Sequence, residues 1–345
     1  MSNPRSLLHP AAGSSRLFLD GGFSTELERT YQCHLSAGSL WSAVLLKDPG
    51  RGWDCIRNVH LDFLRAGADV IATVRLACDA RDEFVSSRGA PAPAPAAGGG
   101  RRQPPYVAVS LGSYGAFLAD GSEFTGRYPA EATESFLVAF HRARLEAYRR
   151  GGALDRADAL AFETVPCAPE ARAVARLMRE EAAAGRVMPF WVSFSATSGA
   201  ECSSGETVSE CFAPFVVTAA AESGGADAVV PGLVALGFNC TNPTLFPSLL
   251  RAAAECLREN GAAGKVSLAA YPNLGEEWDP VAKAWRKETG LTAESFGPTV
   301  AGWVADLEAA MEGVTVGLVG GCCRTTPEMI ASLKACSNSV DGTGR

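Results

Sequence analysis

The strongest constraint on the fold is a repeated alternation of short apolar runs with segments of helical spacing. Eight runs carry it: LFLDGG (17–22), ADVIATV (68–74), YVAVSLGS (106–113), ALAFETV (159–165), FWVSFSA (190–196), LVALGFNC (233–240), VSLAAYPN (266–273) and VTVGLVGGCC (314–323). Each is short, apolar and closed by a polar or turn-forming residue, the signature of a strand buried on both faces. Between them lie segments such as 132–151, 169–185 and 247–261, each with an apolar stripe and a glycine near its end, which predicts helices.

Strands that alternate with helices form a parallel sheet, whose usual closed form at this strand number is the (β/α)8 TIM barrel; a doubly wound open sheet is the alternative. A single barrel domain over 17–335 is expected, with 1–16 as a flexible leader and 336–345 as a tail. The stretch at 89–105, rich in Pro, Ala and Gly, cannot build a packed element and is expected to be disordered. A barrel places its chemistry at the carboxyl ends of its strands. Asp20, Glu163, Cys240, Asn273 and the pair Cys322-Cys323 all fall at the ends of proposed strands.

Of the 345 residues 47% are hydrophobic, enough for a sizeable core, and the net charge of -7 argues against a nucleic-acid partner, which calls for a basic face. No run reaches the length of a membrane span, and the first residues lack the apolar centre of a secretory signal, so a cytoplasmic location is expected.

In a reducing compartment, cysteines are buried hydrophobes, reactive thiols or metal ligands rather than disulfides. Cys240 ends one strand, and Cys322 with Cys323 ends another two βα units later, so a barrel would bring all three to one mouth. Successive side chains on a strand face opposite ways, so neighbouring cysteines reach one metal only where the strand has ended. Gly320 and Gly321 permit that turn, and Thr325-Thr326-Pro327 opens a helix whose amino end favours negative charge. Three thiolates with an open fourth position suit a catalytic zinc site. On the residues alone, a redox pair or a disulfide between Cys322 and Cys323 competes with metal binding, and Cys240 by itself would be a core hydrophobe. The other eight cysteines, at 33, 55, 78, 167, 202, 211, 256 and 336, show no metal spacing and are assigned to packing.

GFNC at 237–240 and GGCCRTTP at 320–327 resemble the two zinc-binding signatures of the homocysteine S-methyltransferase family. LDGGFSTELE (19–28), GSYGAFLADGSEFTG (112–126), AFETVP (161–166) and AYPNLGEEWD (270–279) extend the resemblance over 17–333, closest to the branch that uses S-methylmethionine or S-adenosylmethionine. The resemblance implies a (β/α)8 barrel that holds Zn2+ through Cys240, Cys322 and Cys323 and methylates homocysteine to methionine with a sulfonium donor, without a nucleic-acid or membrane partner. Glu163 is the candidate for the substrate ammonium, Asp20 with the Gly21-Gly22 backbone is a second contact, and Thr73 belongs to the same substrate set. Asn239 is expected to hold the ligand loop. Asn273 and Glu276 face the donor or serve a turn, and Trp41, Trp278, Trp285 and Trp303 are expected to pack.

The chain departs from the family after its second strand. ADVIATV runs directly into RLACDARDEF, so a segment that would carry a substrate-closing Tyr has no counterpart between Val74 and Arg75. Only 75–84 can be helical before the Pro-rich loop, and part of the barrel wall is expected to be uncovered. The alternative function is therefore a zinc-binding barrel with impaired, regulatory or no activity.

Overall fold

The computed structural model describes residues 16–35, 41–72, 75–87, 104–216, 229–276, 278–279, 284–285 and 289–342. The expected leader at 1–15, Thr73 with Val74, and 89–103 of the Pro-rich stretch lie outside these. Eight strands form the main sheet: β1 (Leu17–Phe18), β2 (Val70–Ala72), β3 (Tyr106–Gly112), β4 (Ala159–Val165), β5 (Phe190–Phe194), β6 (Leu233–Asn239), β7 (Ser267–Tyr271) and β8 (Val316–Val319). All seven pairings within it are parallel, with β1 against β8. A parallel bridge from Leu19 to Val70 and bonds from the Asp20 amide to the Val70 carbonyl and from the Asp69 amide to the Phe18 carbonyl join β1 to β2 and close the ring. The expected barrel is therefore present, and the open-sheet alternative is excluded.

The first and last strands are shorter than their apolar runs because the chain leaves the ladder at Asp20 and at Gly320, where the chemistry-bearing loops begin. Ten helices flank the ring among the described residues. Those that bear on the site are α1 (Phe23–Arg29), α2 (Arg51–Ala66), α3 (Arg75–Ser87), α4 (Tyr114–Leu118), α5 (Glu134–Arg150), α6 (Ala168–Ala183) and, at the end of the chain, α10 (Pro327–Gly342). Residues 336–342, read from sequence as tail, continue α10, and the buried Ser337 shows that this last part still faces the protein. Arg16, at the edge of the expected leader, is tied to Glu308 by an ion pair at 2.8 Å. No helix among the described residues is long and apolar enough to cross a membrane.

The expectation of an uncovered wall is corrected. Helix α3 starts two residues after β2 ends and runs past Phe84 to Ser87, where the Ser86 and Ser87 hydroxyls bond to the Asp82 and Phe84 carbonyls. Its Ala77, Cys78, Ala80 and Phe84 are buried with Phe63 and Leu64 of α2, Ile71 of β2 and Val107 of β3. A short crossover with small residues facing inward thus covers the sheet. What is short is the connection at the mouth, where only Thr73 and Val74 separate strand from helix.

Inside the ring, the small side chains Ala108, Ala159, Ala161, Ala235 and Ala269 leave room for Trp191, Tyr271 and Leu318. This mixture fills the barrel axis as packed layers rather than a channel. The polar ends of Trp191 and Tyr271 need partners in such surroundings, and they find them just below the site.

Candidate functional site

The loop after β8 is built by close backbone approach. Gly320 and Gly321 lie against the loop after β1: a side chain on Gly321 would meet Thr325 Oγ1 at 2.2 Å, and one on Gly320 would meet Leu19 Cβ at 2.6 Å. The Gly321 amide donates to the Asp20 carbonyl at 3.2 Å, and the Cys322 amide to the Pro272 carbonyl at 2.8 Å. Thr325 closes the turn, its amide and hydroxyl both donating to the Cys322 carbonyl, at 3.1 and 2.7 Å. Arg324 takes φ 71°, and its amide donates to Thr25 Oγ1 of α1 at 3.0 Å. The glycines let two distant segments lock together, and the lock turns both cysteines toward Cys240.

Cys240 Sγ lies 2.6 Å from Cys322 Sγ and 3.5 Å from Cys323 Sγ, and the three sulfurs fall within 4.8 Å of one another. All three are free thiols, as are the other eight cysteines, and this is the one group of three or more metal-ligating side chains found among the described residues. The edge of a zinc-thiolate tetrahedron with Zn–S of about 2.3 Å is about 3.8 Å, so the triad needs only a modest opening of its Cys240–Cys322 edge. Cys323 is exposed and the other two are half-buried, which leaves one side of the sulfur triangle facing the mouth. Contacts from Cys240 and then Cys322 hold the Cys323 thiol well below the ordinary range. Cys240 is pushed well above it, first by its contact with Cys322. For Cys322 the contact with Cys240 pulls down, but Cys323 and burial outweigh it and the thiol ends well above the ordinary range. The triad thus concentrates negative charge at its exposed corner.

Next to the sulfurs stands a strained pair of loop residues. Cys240 has φ 48° and Thr164, directly after Glu163, has φ 59°, a conformation that costs a β-branched residue on the order of 1–3 kcal/mol. Asn239, 2% exposed, holds it in place: its Oδ1 accepts from the Thr164 amide and the Ser193 hydroxyl, both at 2.9 Å, and its Nδ2 donates to Thr164 Oγ1 at 2.9 Å. The β4–β5 register slips at the same point, between Phe162 and Val165. Asn239 therefore joins the end of β6, next to Cys240, to the loop that follows Glu163.

Glu163 accepts from Ser110 Oγ at 2.5 Å and from the Tyr271 hydroxyl; burial raises its pKa, and these two bonds oppose the rise. Tyr271 in turn accepts from Trp191 Nε1 at 3.0 Å and pairs with Ser193 Oγ at 2.5 Å. Asp20, 9% exposed, accepts the Ala72 amide at 2.9 Å, and burial pushes its pKa up to about 8 against that bond, with Glu163 adding to the rise. A buried acid, Asp20, thus feels a half-buried one, Glu163, beside the sulfurs, which is a setting for a cation.

Among the expected substrate contacts, Asp20, Glu163 and Asn239 gather near the triad, and Thr73 lies outside the described residues. The Gly22 amide is already committed, donating to the Thr325 carbonyl at 2.9 Å and to Thr325 Oγ1 at 3.1 Å, and a side chain on Gly21 would strike Thr325 Oγ1 at 2.5 Å. The Gly22 amide thus ties the β1 loop to the β8 loop, and the bare Gly21 admits that loop. Asn273 caps its own turn, its Oδ1 accepting the Gly275 amide at 2.8 Å, and Glu276 pairs with Arg324 at 2.7 Å. Trp303 packs on Phe246 with ring centroids 5.8 Å apart, and Trp278 and Trp285 stand in a two-residue ribbon pairing. Trp41 opens a 3-10 turn at Trp41–Lys47. Thr164, Ser193 and Tyr271 are not singled out by the sequence; Ser193, set among apolar neighbours in FWVSFSA, is the one visible signal.

The family model for homocysteine S-methyltransferase matches residues 17–337. Homocysteine S-methyltransferase YbgG of Bacillus subtilis is 34% identical over 357 aligned positions, covering 95% of this chain and 96% of the relative. That alignment is longer than this chain's 345 residues, so the relative carries residues without a counterpart here. Selenocysteine Se-methyltransferase of Brassica oleracea var. italica is 35% identical, covering 91% and 87%. The metallated form of the homocysteine methyltransferase MmuM from Escherichia coli superposes with a TM-score of 0.67 at 32% identity, covering 96% of this chain and 99% of that one. With a barrel closed around a three-cysteine mouth and relatives that match along almost its whole length, this chain belongs to the homocysteine S-methyltransferase family.

Proposed function

We propose that this chain transfers a methyl group from S-methylmethionine or S-adenosylmethionine to homocysteine, giving methionine, with Cys240, Cys322 and Cys323 as ligands of Zn2+. The observation that carries the reading is the convergence of three thiols at the barrel mouth beside the carboxyl groups of buried Asp20 and half-buried Glu163. A free alkyl thiol has a pKa of about 8.5 and is mostly protonated at neutral pH. Zinc bound to the three thiolates would supply the Lewis acidity that keeps a substrate thiol deprotonated.

The residues around it have separate tasks. Glu163 and Asp20 receive the substrate ammonium, which lets Asp20 give up its proton in a buried setting. Asn239 and Thr164 hold Glu163 in position against the strain of its loop. The homocysteine sulfur forms a new bond to the donor methyl carbon as the donor's S–CH3 bond breaks, and the donor leaves as a neutral thioether. The thiol proton passes to solvent. The negative charge of the cysteine corner favours the approach of a cationic donor. Three exposed or half-exposed thiols also persist best under reducing conditions, which supports a cytoplasmic location.

The test is methionine formation by the zinc-loaded protein from homocysteine with each sulfonium donor in turn. Turnover with at least one donor is the expected result. Selenocysteine belongs among the acceptors tried, since a selenolate asks the same of the site. The two-residue connection between β2 and α3 favours a second reading, a barrel that holds metal but closes poorly over its substrate. Bound zinc without methionine from either donor would support that reading and sink the first.

A further inference from the structure

The connection between α4 and α5 carries a polar atom that the fold leaves unused. Glu123 sits in the 3-10 turn Ser122–Phe124, and its Oε2 is buried without a hydrogen-bond partner among the described residues. A buried carboxylate oxygen in that state is costly unless something else completes it. The turn around it is firmly set. A side chain on Gly115 of α4 would lie 2.4 Å from the Glu123 amide nitrogen, and the Glu123 carbonyl accepts from Ser195 Oγ at 2.6 Å. The neighbouring Asp120 is occupied, its Oδ1 accepting the Ser122 amide at 2.9 Å and the Ser122 hydroxyl. Glu123 alone of this pair is available.

The Glu123 carbonyl meets Ser195, the residue directly after β5, so Glu123 stands at the carboxyl end of the barrel, where Cys240, Cys322 and Cys323 also lie. We propose that Glu123 is the anionic contact for the positively charged sulfonium donor, so that donor and acceptor amino acid are held by separate carboxylates. This rests on the methyl-transfer reading above for the identity of the cation. The inner pair, Asp20 and Glu163, serves the acceptor whose sulfur must reach the triad. The donor comes from the open side, past Cys323, and Glu123 is the acid on that side with an unused oxygen. Burial raises the Glu123 pKa against a bond from its own backbone amide, and a cation beside the carboxylate offsets that burial.

Calorimetric titration of the zinc-loaded wild type, Glu123→Gln and Glu123→Asp tests this, with S-methylmethionine, S-adenosylmethionine, homocysteine and the neutral thioether methionine as ligands. Glu123→Gln is expected to weaken the sulfonium ligand that the wild type binds by about tenfold or more, and to leave methionine and homocysteine within about twofold; Glu123→Asp recovers part of the loss. Retained methionine binding shows that the variant is folded. The inference is overturned if the wild type binds neither sulfonium, if Gln leaves sulfonium affinity within about twofold, or if methionine or homocysteine weakens equally. Wild-type sulfonium binding that depends on Glu123 but yields no methionine would overturn the proposed reaction and leave this inference standing.

Discussion

Asn239→Ala tests the idea that the site is held in a strained form by one amide. The side chain makes three bonds at 2.9 Å, two to Thr164 and one to Ser193, from a position 2% exposed. Truncation leaves the Thr164 amide without its acceptor, which costs about 1–3 kcal/mol, and removes two further bonds worth about 1 kcal/mol each. Ser193 keeps Tyr271 as a partner, so its share is smaller. Against this, Thr164 becomes free to leave φ 59°, which returns about 1–2 kcal/mol. The net expectation is a loss of about 2 kcal/mol, read from urea unfolding by linear extrapolation. That relaxation moves the neighbouring Glu163, so the homocysteine KM should rise about tenfold or more, a larger effect than the stability loss alone would suggest. A variant within about 0.5 kcal/mol of wild type with an unchanged homocysteine KM would refute the reasoning.

Gly321→Ala places a methyl group 2.2 Å from Thr325 Oγ1, so the β8 loop must shift; a loss of about 1–3 kcal/mol in urea unfolding and weaker zinc retention against a chelator are expected. Asp20 gives a pH dependence with a definite sign. Its folded pKa of about 8 exceeds the ordinary 3.8, so the folded state keeps a proton that the unfolded chain releases, and stability from this group falls as pH rises from about 4 to about 8. Asp20→Asn removes that dependence while Oδ1 can still accept the Ala72 amide, so the variant should gain on wild type between pH 5 and pH 8, on the order of a few kcal/mol by chemical denaturation. Homocysteine binding should also release a proton near pH 7 as its ammonium meets Asp20; calorimetry in buffers of different ionisation enthalpy reads this, and buffer-independent heats would count against it.

The barrel and its three-cysteine mouth were legible because both are local signals. Strand runs and helical stripes each lie within a few consecutive residues, and Gly320-Gly321 before Cys322-Cys323 announces a chain that turns as the strand ends. The support beneath the ligands was not legible, because it depends on register between strands: Ser193, Asn239 and Tyr271 meet only once β5, β6 and β7 are aligned. The fate of the Gly22 amide depends on Thr325, a residue 303 positions away, and no window of sequence shows that contact. Helix α3 outran its expected end at Phe84 because two serine hydroxyls bond back to its last carbonyls, a local effect that apolar periodicity does not record. Thr164 is the hardest case: a β-branched residue argues for extended backbone, and its partners alone hold it at positive φ.

The central claim is that Cys240, Cys322 and Cys323 together hold the metal on which methyl transfer depends. Elemental analysis of the purified wild type and of the Cys240→Ser, Cys322→Ser and Cys323→Ser variants, paired with methionine formation on the same samples, tests it most directly. The account expects about one zinc per chain in the wild type, with zinc and activity lost together in all three variants. Full methionine formation by a wild type without metal, or zinc retained undiminished when any one of the three is replaced, would contradict it.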